Sequence, residues 1–132
     1  MNALKTGIRN QLTAATALTT LLSGTAAVYH GLAKGGVSLP YVVFTLVSDE
    51  EANETPRRER EWLFDVKGIS DAADTAGNIE AQIDAAMQTA ITVTGWGVVV
   101  QERERGLSLR EEADGKVYYH AGGQYRVRLE KL

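Results

Sequence analysis

Two histidines, His30 and His120, and no cysteine set the chemical repertoire of this 132-residue chain. Without thiols there is no disulfide framework, no thiolate zinc site and no cysteine nucleophile. Two histidines do not furnish a histidine-rich metal site, and no cofactor is implied. A serine nucleophile would need an elbow such as Gly-x-Ser-x-Gly, which the sequence lacks. A small hydrolase using His120 with Asp114 or Glu112 is the one enzymatic option. Against it, His120 follows Tyr118-Tyr119 in a strand-like stretch near a turn, and His30 follows Tyr29 in a short apolar stretch. Both read as structural or surface histidines. Gly35-Gly36 and Gly122-Gly123 lack phosphate-loop spacing and read as turns.

The charged residues are more informative. Asp49–Glu61 carries six acids and three arginines, a net charge of −3 that equals the formal charge of the whole chain. Thr55-Pro56 disfavours helix there, and Ala52 is the only small apolar residue before Trp62. The stretch is expected to be a mobile charged loop that contacts a partner. Glu102 and Glu104 alternate with Arg103 and Arg105, and Arg126 and Arg128 lie on the polar side of the last strand-like segment. Such two-sign surfaces suit electrostatically registered subunit contacts. The candidate partner or subunit interface is therefore Asp49, Glu50, Glu51, Glu54, Arg57, Arg58, Arg60, Arg126 and Arg128. The same arginines could serve a nucleic-acid module, an option that the net negative charge disfavours.

These residues must be held by recognisable elements. Leu4, Ile8, Leu12, Ala15, Leu18 and Leu22 recur at helical spacing, predicting one bent helix or two short ones, with Thr13 as a possible cap and Gly24 as a left-handed stop. Ala26–His30 predicts a short strand. Pro40 leads into Tyr41–Val47, a run expected to be a strand covered on both faces. Trp62, Phe64 and Val66 alternate with Leu63, Asp65 and Lys67, a period of two that predicts a second strand. A helix is expected from Asp71 to about Ala90, capped by Ser70 or Asp71, with Ala72, Ala76, Ile79, Ile83, Ala86 or Met87, and Ala90 on its apolar stripe. Val98–Glu102 predicts a third strand, Asp114-Gly115 a hairpin turn, and Tyr125, Val127 and Leu129 a last strand. The expected class is α+β: a small antiparallel or mixed sheet with two main helices on one face, as a single domain over 1–132.

An apolar fraction of 44% and a charged fraction of 23% are those of an ordinary globular protein. No uninterrupted apolar run approaches the roughly 18 residues of a membrane span. The expectation is a protein made in the cytoplasm that does not insert in a membrane.

The ordered segments resemble a known family. The helical start Ala3–Leu22 is followed by Tyr29, then Leu39-Pro40-Tyr41-Val42-Val43-Phe44, a charged stretch, and Trp62-Leu63-Phe64-Asp65-Val66-Lys67-Gly68. A helix opened by Ser70-Asp71-Ala72-Ala73 and the closing Tyr125-Arg126-Val127-Arg128-Leu129 complete the series. In this order the chain resembles the tail terminator, or tail-completion, proteins of long-tailed bacteriophages and prophages. The resemblance implies a non-enzymatic virion protein forming a homo-oligomeric ring, usually a hexamer. The ring would cap the tail tube, end polymerisation of the major tail tube protein and offer a joining surface to a head-completion or connector protein. DNA would only pass through its lumen. The nearest alternative is a head-closure or neck adaptor protein.

Overall fold

The structure is a computed structural model that describes residues 1–24, 26–33, 35, 37–51 and 58–132. The amino-terminal stripe forms α1 (Asn2–Ala14) and a single-turn α2 (Thr16–Thr19). Ala15, extended at φ −78° and ψ 92°, separates them, so the two-helix alternative holds. Thr13 does not cap α2: its hydroxyl donates to the carbonyls of Arg9 and Asn10, where it back-bonds along α1. Gly24 is not left-handed, and the chain instead leaves α2 through αR Thr20. The apolar stripe itself is as expected, with Leu4, Ile8, Leu12 and Leu18 fully buried.

Five strands follow, β1 (Val28–His30), β2 (Tyr41–Glu51), β3 (Glu59–Ser70), β4 (Trp96–Ala113) and β5 (Lys116–Lys131), with α3 (Ala73–Met87) between β3 and β4. The sheet runs β1-β2-β3-β5-β4, parallel at β1–β2 and antiparallel elsewhere. Register places Val42, Phe44, Phe64, Val66, Tyr125, Val127 and Leu129 on one face. There they meet Leu4, Ile8 and Leu12 of α1 and Ile79, Ile83 and Met87 of α3 in one core. Each such side chain contributes roughly 1.5–3 kcal/mol relative to leaving it exposed. The fold is α+β, with a mixed sheet and its helices on one side.

Several boundaries differ from the sequence reading. β2 is buried on both faces only at Val42, Val43 and Phe44; Thr45 is exposed and Val47 is half exposed. Leu39–Pro40, just before it, is a cis peptide. α3 spans Ala73–Met87, about 22 Å, rather than Asp71 to about Ala90. Neither Ser70 nor Asp71 is its N-cap, although the Ser70 hydroxyl accepts from the Ala72 N–H at 3.2 Å.

The largest correction concerns 49–61. Asp49, Glu50 and Glu51 end β2 and Glu59, Arg60 and Glu61 begin β3, paired as Asp49↔Trp62, Glu50↔Glu61 and Glu51↔Arg60. The other edge of β3 is held by β5 from Glu59↔Glu130 onward. Ladder bonds on both edges and an Asp49–Arg60 ion pair hold a charged sequence extended without apolar side chains. Ala52, Asn53, Glu54, Thr55, Pro56 and Arg57, on which the rest of that loop reading falls, lie outside the described residues.

Asp114-Gly115 is the hairpin turn, with φ of 52° and 75°. Gly122-Gly123 is not a turn but the middle of β5. A Cβ at Gly122 would lie 1.9 Å from the Val66 carbonyl oxygen, so glycine is needed there for close strand approach.

Candidate interaction surfaces

Among the described residues no helix covers the second face of the sheet. Register sorts that face into two ends. Toward the β4–β5 turn, the row Leu109, His120, Ile69 and Tyr41 is largely apolar, and Val43 follows in the next row. Tyr29 meets Tyr41 edge-on at 5.9 Å, and Leu109 is 54% exposed. Toward the opposite end the face is ionic.

At the ionic end Arg126 of β5 lies between carboxylates from both neighbouring strands. Its guanidinium reaches Glu61 of β3 at 3.1 Å, Glu104 of β4 at 2.8 Å and also Glu102 of β4. Hydrogen bonds to Glu102 and Glu61 raise its pKa further above the ordinary arginine value. Glu102 and Glu104 share this face by strand alternation, with Arg103 between them on the other, and a register shift between Arg103 and Arg105 sets Arg105 opposite Gln124. Three carboxylates on one guanidinium leave the cluster two charges negative. Arg128, the next arginine on this face, pairs with the buried carboxylate of Glu59, and Gln124 donates to Asp65 at 3.0 Å.

Arg103 turns toward the helix side and ties α3 to the hairpin. It donates to Glu80 at 2.6 Å and to the Gly122 carbonyl at 3.2 Å, while Asp84 lies 3.7 Å away. The Tyr125 hydroxyl donates to Asp84 at 3.1 Å, and burial, then Asp84, pushes its pKa well above the ordinary tyrosine value. Sequence reasoning missed this contact. The helical spacing of Glu80 and Asp84, one turn apart, was the available signal.

On the helix-bearing side, at the far ends of β3 and β5, Glu51, Arg58, Arg60, Trp96 and Lys131 line an open cleft of about 320 Å³. The Lys131 N–H donates to the Arg58 carbonyl at 2.9 Å, which brings the two cationic residues side by side. Arg60 pairs with Asp49 and lies over the Trp62 ring at 5.1 Å. Among the described residues Arg58 and Lys131 make no ion pair.

The nine residues proposed from sequence thus separate. Asp49, Glu51, Arg58 and Arg60 gather at the cleft, while Glu50, in register with Glu61 and Arg128, lies with Arg126 and Arg128 on the opposite face. Glu54 and Arg57 are outside the described residues. The hydrolase grouping is not assembled: the nearest carboxylate to His120 is Glu111, at 3.4 Å from Nε2, whereas Glu112 pairs with Arg110 at 2.9 Å and Asp114 forms the turn. Burial first, then Lys67, lowers the His120 pKa, with Glu111 opposing. Among the described residues no group of three or more His, Cys, Asp or Glu is placed to hold a metal ion.

The tail completion protein gp17 family matches residues 6–130, nearly the whole chain. The chain belongs to this family. As a member it is a phage tail assembly protein, from a family of structural components. Its fold is shared with a chain from a structure titled "Virion of native gene transfer agent (GTA) particle", at a TM-score of 0.79 and 22% identity, covering 98% of this chain and 96% of that one. No curated protein matches the chain at a significant level. No helix among the described residues is long and apolar enough to cross a membrane.

Proposed function

We propose that this protein is a tail terminator: a homo-oligomeric ring, hexameric by family resemblance, that caps the tail tube and stops its polymerisation. Family membership over residues 6–130 carries the reading. The ring would meet the major tail tube protein on one side and a head-completion or connector protein on the other, in the neck region of the virion. It would be made and assembled in the host cytoplasm. The fold shared with a chain of a gene transfer agent virion supports such a setting. Its role would be contact rather than catalysis. DNA would pass through the lumen without specific binding, in keeping with a formal charge of −3, since a strongly basic lining would retain phosphates. The charged ends of β2 and β3, with Arg126 and Arg128, would form part of its contacts, as a single domain over 1–132.

The test is tube capping. Added to polymerising tube protein, the chain should shorten the tubes seen by electron microscopy and appear at their tips. Unchanged tube lengths with bare tips would overturn the terminator reading. Binding to a connector protein alone would favour the neck-adaptor role instead.

A further inference from the structure

We propose that adjacent copies of this chain meet head to tail, with the acidic cluster around Arg126 of one copy seated in the Arg58–Lys131 cleft of the next. The inference rests on the ring reading and names the surfaces that would build it. Arg58 and Lys131 are held side by side by a backbone hydrogen bond, and among the described residues neither has a carboxylate partner. Adjacent like charges repel, so an anionic group between them is favoured. Trp96 also lines the cleft, and with Arg60 paired to Asp49 the cations Arg58 and Lys131 outweigh the lining Glu51 by one charge. On the opposite sheet face, Glu61, Glu102 and Glu104 share one guanidinium, an excess of two negative charges beside the side chain of Leu63. Charge and apolar content are therefore complementary between the two patches.

Their placement selects the symmetry. The cleft lies on the helix-bearing side of the sheet and the acidic cluster on the bare side, so the two point in opposite directions. One contact between two copies leaves a cleft and a cluster open at the ends. The contact is heterologous, and it propagates until the chain of copies closes into a ring.

The chain has no cysteine, so a disulfide between copies reports only engineered positions. One copy carries Leu132→Cys beside the cleft and the other Leu63→Cys within the cluster, leaving every charge in place. Mixed under mild oxidation, they should cross-link far more than Leu132→Cys mixed with Glu112→Cys at the hairpin tip. Adding Arg58→Glu and Lys131→Glu to the first copy should lower the yield about tenfold or more. Adding Glu102→Lys and Glu104→Lys to the second should then restore it. Far-ultraviolet circular dichroism of each variant confirms folding, and light scattering of the wild type reports particle mass. Ring-sized mass without the cross-link overturns this contact and leaves the ring intact. The cross-link in a protein that never exceeds open oligomers supports the contact and overturns the ring. A monomer without the cross-link overturns both.

Discussion

Gly68→Ala is the substitution that most directly tests how α3 sits on the sheet. A Cβ at Gly68 would lie 2.3 Å from Ile79 Cγ2 and 2.9 Å from Ile79 Cβ. Carbon atoms pack without repulsion at roughly 3.5–4.0 Å, so α3 must rise by about 1 Å or more at that point. Ile79 has no route of escape: it is fully buried, and a β-branched side chain in a helix has one strongly preferred rotamer. Overpacking of this kind costs typically 1–3 kcal/mol, and a rigid neighbour puts the cost near the upper end. For a chain of this size, about 2–3 kcal/mol lowers Tm by roughly 6–12 °C. Thermal and urea denaturation followed by circular dichroism would read it. Ile79→Ala alone should cost about 2–5 kcal/mol through its cavity. The double variant should cost clearly less than the sum, by about 1 kcal/mol or more, because removing Cγ2 relieves the closest clash. If Gly68→Ala stays within about 0.5 kcal/mol of wild type, or the two changes are additive, α3 does not press on the sheet at Gly68.

Two further outcomes are expected. Gly122→Ala should be more severe than Gly68→Ala, because its Cβ would meet the backbone carbonyl of Val66 at 1.9 Å rather than a side chain. Insoluble expression or a markedly lower Tm is expected, whereas a wild-type Tm would refute the close approach of β3 and β5 there. The stability of the fold should also fall on acidification below about pH 6.5, the ordinary histidine value. Burial and Lys67 hold the folded-state pKa of His120 below that value, so the neutral form is favoured on folding. This contribution is fully present above the unfolded pKa and is lost as pH falls through the folded one. His30, also lowered by burial and then Lys5, acts in the same direction from a more exposed site. Tm measured from pH 8 to pH 5 should drop less in His120→Gln than in wild type; identical profiles would assign the acid sensitivity elsewhere.

Much of the fold is legible in periodicity. Ala76, Ile79, Ile83 and Met87 of the expected helix stripe and the alternation Trp62, Phe64 and Val66 are buried, because helices and strands repeat at fixed angles, whereas Ala72 and Ala90 of that stripe are exposed beyond the ends of α3. Charge composition was a poorer guide. Asp49–Glu51 and Glu59–Glu61 look like loop, yet they are strand because their pairing partners lie elsewhere in the chain. Gly122-Gly123 looks like a turn for the same reason, since the approach of Val66 is invisible in local sequence. The candidate interface residues were recognisable as charged, but not as two groups on opposite faces.

The sequence by itself determined the α+β class, the apolar faces of its elements, the scarcity of catalytic groups and the order of segments that marks the tail-completion family. These depend on local period and residue type. Only the tertiary structure decided which charges meet: Arg126 with Glu61, Glu102 and Glu104, Arg103 with Glu80, and Arg58 beside Lys131, neither in an ion pair among the described residues. Those pairings follow from strand register and a β-bulge, where a shift of one residue moves a side chain to the other face of the sheet.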